Sequence, residues 1–328
     1  MKRCLFRDLK NLSPLDFVLP GLIAGTIGLI VGRGAIGKTF LALQIAISLV
    51  LRRAIAEVEG VVGGAGALWP AQKSGPVLVV LGEDMPIVIQ HRMDALREGM
   101  RLSDSDLELL DENLEIMSAT DLGDDLRLVK KDQGGNVERG PFFDLLIELC
   151  RGRRIVIIDP LALLAAGINE NDNGQMTQFM RILAAVATET GCAILVLHHS
   201  GKTGSGSGED WEKSRGASAI TTSVRLQINL SPPSQDDMTQ LAISEEDAGY
   251  WIRVAQVKSN YAAPKPAVWL RRGKRGVLHS YPEFARPDQD PERQQNSYAA
   301  ARDGLQPARA EIPMKSRRTR KGGRNGPF

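Results

Sequence analysis

The segment TIGLIVGRGAIGKTFLALQIAISLVL limits what this chain can fold into more than any other. The apolar run at 26–31 reads as a short buried strand, and the apolar stretch from Lys38 to Arg53 has the length and lack of breakers of a buried helix. Between them Gly32, Arg33, Gly34, Ala35, Ile36, Gly37, Lys38 and Thr39 match G-x-x-x-x-G-K-[ST] in full. A loop that follows a strand and opens a helix can surround phosphate oxygens with backbone N–H groups, and Gly34 and Gly37 let the chain approach closely. Lys38 is expected to reach the β- and γ-phosphates of ATP as a point charge, and the Thr39 hydroxyl to ligate Mg²⁺.

The rest of the chain repeats the alternation. PVLVVL (76–81), RIVIIDP (154–160) and CAILVLHHS (192–200) read as buried strands, with a short one at 114–117. Helices are expected at 86–110, 141–151 and 174–190, and loops at 54–76, 121–140 and 201–213. Alternating apolar strands and helices predict an α/β fold, a mostly parallel sheet with helices on both faces. The pattern then changes to VRLQINL (224–230), TQLAISEE (239–246), YWIRVAQVKSN (250–260) and AVWLRRG (267–273), which read as successive strands including antiparallel hairpins. Residues 285–328 are rich in Pro, Gln and Arg, so the expected organisation is one ATPase domain at 1–284 and a disordered basic tail at 285–328.

A phosphate loop needs a second metal ligand. Asp159, at the end of RRIVIID, supplies a carboxylate on the sheet edge where ligands bind in such folds. Hydrolysis also needs a group to orient or deprotonate water, and Glu83, ending VLVVLGE on that same edge, is the expected general base. Asp84 is the alternative, with a helix N-cap as its other reading. His198 and His199 follow AILVL on the next strand; no Cys or carboxylate lies at metal-ligand spacing from them, so they read as a polar sensor facing the γ-phosphate rather than a zinc site.

Composition narrows the class without choosing the partner. With 43% hydrophobic and 24% charged residues the chain can bury a sizeable core, and a net charge of +2 is too mild to demand nucleic acid. Cys4, Cys150 and Cys192 are odd in number and far apart, which speaks against a disulfide framework and for a cytoplasmic location. The apolar stretch from Leu19 to Val31 is too short to span a bilayer, and MKRCLFRDLKNL lacks the apolar region of a signal peptide, so no membrane association is expected.

Taken in order, LDFVLPGLIAGTIGLIVGRGAIGKT, LGED, IVIIDP, LHHSGK, SRGAS and VKSNYAAP resemble the plasmid replicative helicase RepA family over about residues 14–280. That family sits with the DnaB-type hexameric helicases in the RecA-like superfamily. The resemblance implies a RecA-like P-loop core, a homohexamer binding ATP between subunits, and single-stranded DNA threaded through the ring. Lys38, Thr39, Glu83 and Asp159 keep their nucleotide roles, and His199 takes the sensor place, with His198 as the alternative. Arg215 in SRGAS matches the arginine-finger position, and Lys258 in VKSNY a second basic finger, both acting on a neighbour's nucleotide. The segment at 54–76 and the basic tail depart from the family pattern. Nothing in the chain reads as a primase or an origin-binding domain, so both would be separate partners.

The polar stretches AAGINENDNG (165–174) and GKTGSGSGED (201–210) stand where RecA-like rings present DNA-binding loops. Lys202 is the clearest phosphate contact, and neither loop carries an aromatic residue for stacking on bases. Sequence-independent backbone binding is what they imply. Two other readings share the same phosphate loop: a RecA-like DNA-binding ATPase without unwinding activity, and a P-loop kinase or signalling ATPase.

Overall fold

In the computed structural model, which describes residues 12–54, 73–120, 126–199, 218–263 and 265–280, the chain enters through a small hairpin. Its strands β1 (Phe17–Leu19) and β2 (Leu22–Ile23) turn at Gly21, whose φ of +88° suits glycine. Strand β3 (Ile27–Gly32) and helix α1 (Lys38–Leu51) follow, then β4 (Val77–Leu81), α2 (Pro86–Gly99), α3 (Asp104–Asn113) and β5 (Leu114–Ser118). A hairpin of β6 (Val129–Lys131) and β7 (Val137–Arg139) precedes α4 (Phe143–Cys150), β8 (Ile155–Asp159), α5 (Asn173–Thr190) and β9 (Ala193–His199). The described chain closes with α6 (Ser218–Ser223), β10 (Leu226–Ser231), α7 (Gln235–Gln240), β11 (Trp251–Ser259), β12 (Val268–Arg272) and β13 (Leu278–Ser280). All of these elements lie in the unit Met1–Ala285.

The main sheet runs β13-β12-β11-β10-β3-β9-β8-β4-β5. From β10 to β5 every pairing is parallel, and β11, β12 and β13 join antiparallel. Side chains alternate across it. Ile30, Val79, Leu81, Ile155 and Ile157 pack with α1 and α2 on one face; Leu29, Val31, Leu78, Val80, Val156 and Ile158 pack with α4 and α5 on the other. Each fully buried Ile or Leu contributes about 1.5–3 kcal/mol. A slip of one residue would exchange the two faces of a strand, so the double burial holds register. This is the α/β core expected from the alternation of apolar runs, a mostly parallel sheet with helices on both faces and antiparallel C-terminal strands.

Register places the carboxyl ends of the parallel strands at one level. Gly32 pairs with His199, and Leu81 with Asp159. The strand carrying Asp159 is not the neighbour of the phosphate-loop strand, because β9 lies between β3 and β8.

Three expectations are corrected. The helix at 86–110 is two helices: Arg101 takes a left-handed φ of +50°, and Ser103 and Asp106 form a reciprocal capping box that starts α3. The loop at 121–140 holds the β6–β7 hairpin, in which Asp132 accepts from the Asn136 backbone N–H at 2.8 Å across a turn containing Gly135 at φ +82°. The strand at 239–246 does not form. Ser234 and Asp237 make another capping box and begin α7, so the residues after Gln240 leave it in a turn. The hairpin β1–β2, α6 and β13 had no counterpart in the sequence reading. The segment at 54–76 lies largely, and the loop at 201–213 and the tail from 285 wholly, outside the described residues. No helix among the described residues is long and apolar enough to cross a membrane.

Candidate active site

The phosphate loop is built by conformations that glycine permits and by a helix end left open. Gly37 has φ +109° and is the N-cap of α1, with no side-chain cap hydrogen bond to the first turn of that helix. Its leading N–H groups therefore face the loop without a capping side chain. A Cβ on Gly32 would lie 2.8 Å from Ile36 Cγ2, so the strand-to-loop turn admits no larger residue without movement.

Lys38 is buried, and its Nζ donates to the carbonyls of Gly32 at 2.9 Å and Arg33 at 3.0 Å. His199 Nδ1 lies 3.4 Å from the same ammonium, and His199 Nε2 lies 3.8 Å from Glu83 Oε1. The Thr39 hydroxyl donates to Asp159 Oδ2 at 2.6 Å. Lys38, Thr39, Asp159, Glu83 and His199 are thus drawn from α1, β8, the end of β4 and β9 to one edge of the sheet. Burial pushes the Lys38 ammonium below its ordinary value, opposed by the charges of Asp159 and Glu83. Burial also pushes the Asp159 carboxyl upward, helped by Glu83 and Asp84 and opposed by the Thr39 hydrogen bond and Lys38.

A buried carboxylate beside a hydroxyl is a hard-oxygen donor pair, and it fits Mg²⁺ rather than a thiolate-seeking metal. The loop geometry fits a nucleotide polyphosphate for the reasons given above. Glu83 is exposed, at the mouth of this edge. Its place depends on Gly82, a residue the sequence reading missed: a Cβ there would fall 1.9 Å from Leu163 Cδ1, and the Gly82 N–H donates to the Asp159 carbonyl at 2.8 Å. Asp84 is engaged elsewhere, in an ion pair with Arg92 at 2.9 Å. It does not cap the following helix, whose N-cap is Met85. His198 is buried, and it is His199 that stands beside Lys38 and Glu83.

A family model described as AAA domain matches residues 5–205, more than half of the chain. The chain belongs to the AAA domain family. Solved structures similar to it include the RadB recombinase (13% identity, TM-score 0.47, covering 80% of this chain and 93% of that one). The flagellar accessory protein FlaH from Methanocaldococcus jannaschii is 16% identical with a TM-score of 0.45, covering 80% and 91%.

The matched residues of this AAA domain hold all five converging side chains, so the chain is a P-loop ATPase domain. The other candidates lie elsewhere. Arg215 and Lys202 fall outside the described residues. Lys258 pairs with Gln227 near the start of β10, at the end of the sheet opposite the phosphate loop. Its Nζ donates to the carbonyls of Thr221 at 2.7 Å and Thr222 at 3.0 Å, at the end of α6. The other end of α6 is held by Asn173, whose Oδ1 accepts from the Ala219 N–H at 3.2 Å.

Proposed function

We propose that this AAA domain is a subunit of a ring-shaped replicative helicase that hydrolyses ATP at subunit interfaces and moves along single-stranded DNA. The observation that carries the proposal is a division of labour. Lys38, Thr39, Asp159, Glu83 and His199, the set needed to bind nucleotide, hold a metal and activate water, gather on one sheet edge, whereas Lys258 stands apart from them near the start of β10. A site completed by the next subunit is what the resemblance to the RepA helicases implies, with Arg215 as the first finger and Lys258 as the second.

In this reading Lys38 and the loop N–H groups bind and orient the polyphosphate of ATP. Thr39 and Asp159 hold Mg²⁺, which when bound neutralises charge on the phosphate oxygens. Glu83 accepts a proton from the attacking water, and His199, between Glu83 and Lys38, couples the base to the phosphate it serves. Arg215 from the neighbour stabilises the charge that develops in the transition state. Lys202 contacts the DNA backbone, and a separate primase and origin-binding initiator complete the machinery.

The test is made on purified protein with its assembly mass measured in parallel. ATP hydrolysis stimulated by single-stranded DNA, together with unwinding of a forked duplex by a hexamer, is the expected result. Stimulated hydrolysis by an assembly that never separates the fork would sink the helicase reading and leave a DNA-binding regulatory or recombination ATPase.

A further inference from the structure

We infer that Arg272 is a positioning residue for the phosphate loop, supplied in the same chain by a strand beyond the residues that match the AAA domain. Arg272 is the last residue of β12, and its Nη2 donates to the Ala35 carbonyl at 2.7 Å. Ala35 is the crest of the loop and holds φ +59°, a left-handed conformation that a residue with a Cβ adopts reluctantly. A peptide unit is planar with its C=O and N–H on opposite sides, so fixing the Ala35 carbonyl also fixes the direction of the Ile36 N–H. Lys38 holds the carbonyls of Gly32 and Arg33 at the loop's start. Arg272 does the same at its crest, on the outer side.

An arginine can position a loop only if it is itself fixed, and a second contact supplies that. Gln44, buried in α1, donates from Nε2 to the Leu278 carbonyl at 2.8 Å and accepts the Leu278 N–H at 2.9 Å. Leu278 is the cross-strand partner of Arg272. The helix that begins at the phosphate loop therefore grips β13, and the strand paired with β13 returns a guanidinium to the loop. Gly37 closes the circuit: a Cβ on it would lie 3.2 Å from Ile252 Cδ1, 3.6 Å from Leu278 Cδ2 and 3.7 Å from Arg272 Nη2.

The proposal rests on nucleotide binding by the loop and not on what the ring does with DNA, so its failure and that of the helicase reading are separately visible. Equilibrium binding of a fluorescent ATP analogue and steady-state ATP kinetics are measured on the full chain carrying Arg272→Ala, Arg272→Lys or no substitution, beside thermal melting of each. Arg272→Ala should raise the ATP Kd and KM about tenfold while kcat at saturation stays within about twofold, since the arginine shapes the binding loop and not the reaction step. Arg272→Lys keeps a donor of similar reach and should recover most of the affinity. Should Arg272→Ala fail to fold, Arg272→Met, which keeps an unbranched stem and removes the donor, takes its place with the same loss of about tenfold expected. Nucleotide affinity unchanged in a folded Arg272→Ala or Arg272→Met chain, or a fall in kcat with KM unchanged, would overturn the assignment.

Discussion

Thr39 and Asp159 share a short, partly buried hydrogen bond, while Glu83 on the same sheet edge is open to solvent. That contrast separates binding from turnover. Lys38→Ala should abolish ATP hydrolysis and weaken nucleotide binding, because the only charge removed is the one facing the phosphates. Glu83→Gln should bind ATP as the parent does and lose about 10²–10⁴-fold in turnover, because only proton acceptance changes. Filter binding of labelled ATP beside a phosphate-release assay distinguishes the two, and equal loss of affinity in both variants would remove Glu83 from the role of base. These residues were legible because each closes an apolar strand or stands in a contiguous motif, so local pattern and sheet edge coincide. Arg272 and Gln44 were not legible. Their partners, Ala35 and Leu278, lie 237 and 234 positions away in the chain, and an arginine or glutamine has no spacing that announces such a contact.

Among the elements, the short capped ones resisted reading. Residues 239–246 alternate apolar and polar in the manner of a strand, yet Ser234 and Asp237 commit the preceding residues to a helix, a cap signal that outweighs a brief alternation. The hairpin β1–β2 has only five residues of strand between its members and is held from outside: Arg154, at the start of β8, donates to Asp16 at 2.5 and 2.9 Å and to the Phe17 carbonyl at 2.7 Å. The hydrogen bonds from Arg154 and then Lys73 lower the Asp16 carboxyl to about 2. A depressed folded-state value means that the stabilisation is present above the ordinary carboxylate range and is lost as pH falls through the folded value. Because the Asp16 side chain is 41% exposed, solvent screening reduces its worth to about 1 kcal/mol. Asp16→Asn should therefore lower the urea midpoint at neutral pH, and the two proteins should converge as pH drops from about 5 towards 2. A gap that stays constant over that range would mean that charge is not what ties the hairpin down.

For the assembled molecule the proposed interface makes a quantitative demand. Lys38→Ala subunits lack a working phosphate loop but carry Arg215, and Arg215→Ala subunits have the reverse defect. In an equal mixture about a quarter of the interfaces pair an intact loop with an intact finger, so turnover should recover to about a quarter of the parent value if Arg215 acts across the interface. Mixed oligomers verified by mass that stay inactive would make Arg215 a residue of its own chain. The fold class and strand ends followed from the alternation of apolar runs, whereas strand order did not, since any buried strand can in principle neighbour any other. That order has a consequence in time. The nucleotide-binding strand β3 pairs with β9 and β10, which leave the ribosome about 160 residues or more after it. At synthesis rates of about 5–20 residues per second, β3 waits on the order of ten to thirty seconds for its first neighbour. A nascent chain cut short of Ala193 lacks both strands that flank β3, so it emerges with the nucleotide motif complete in sequence but without the sheet that shapes it.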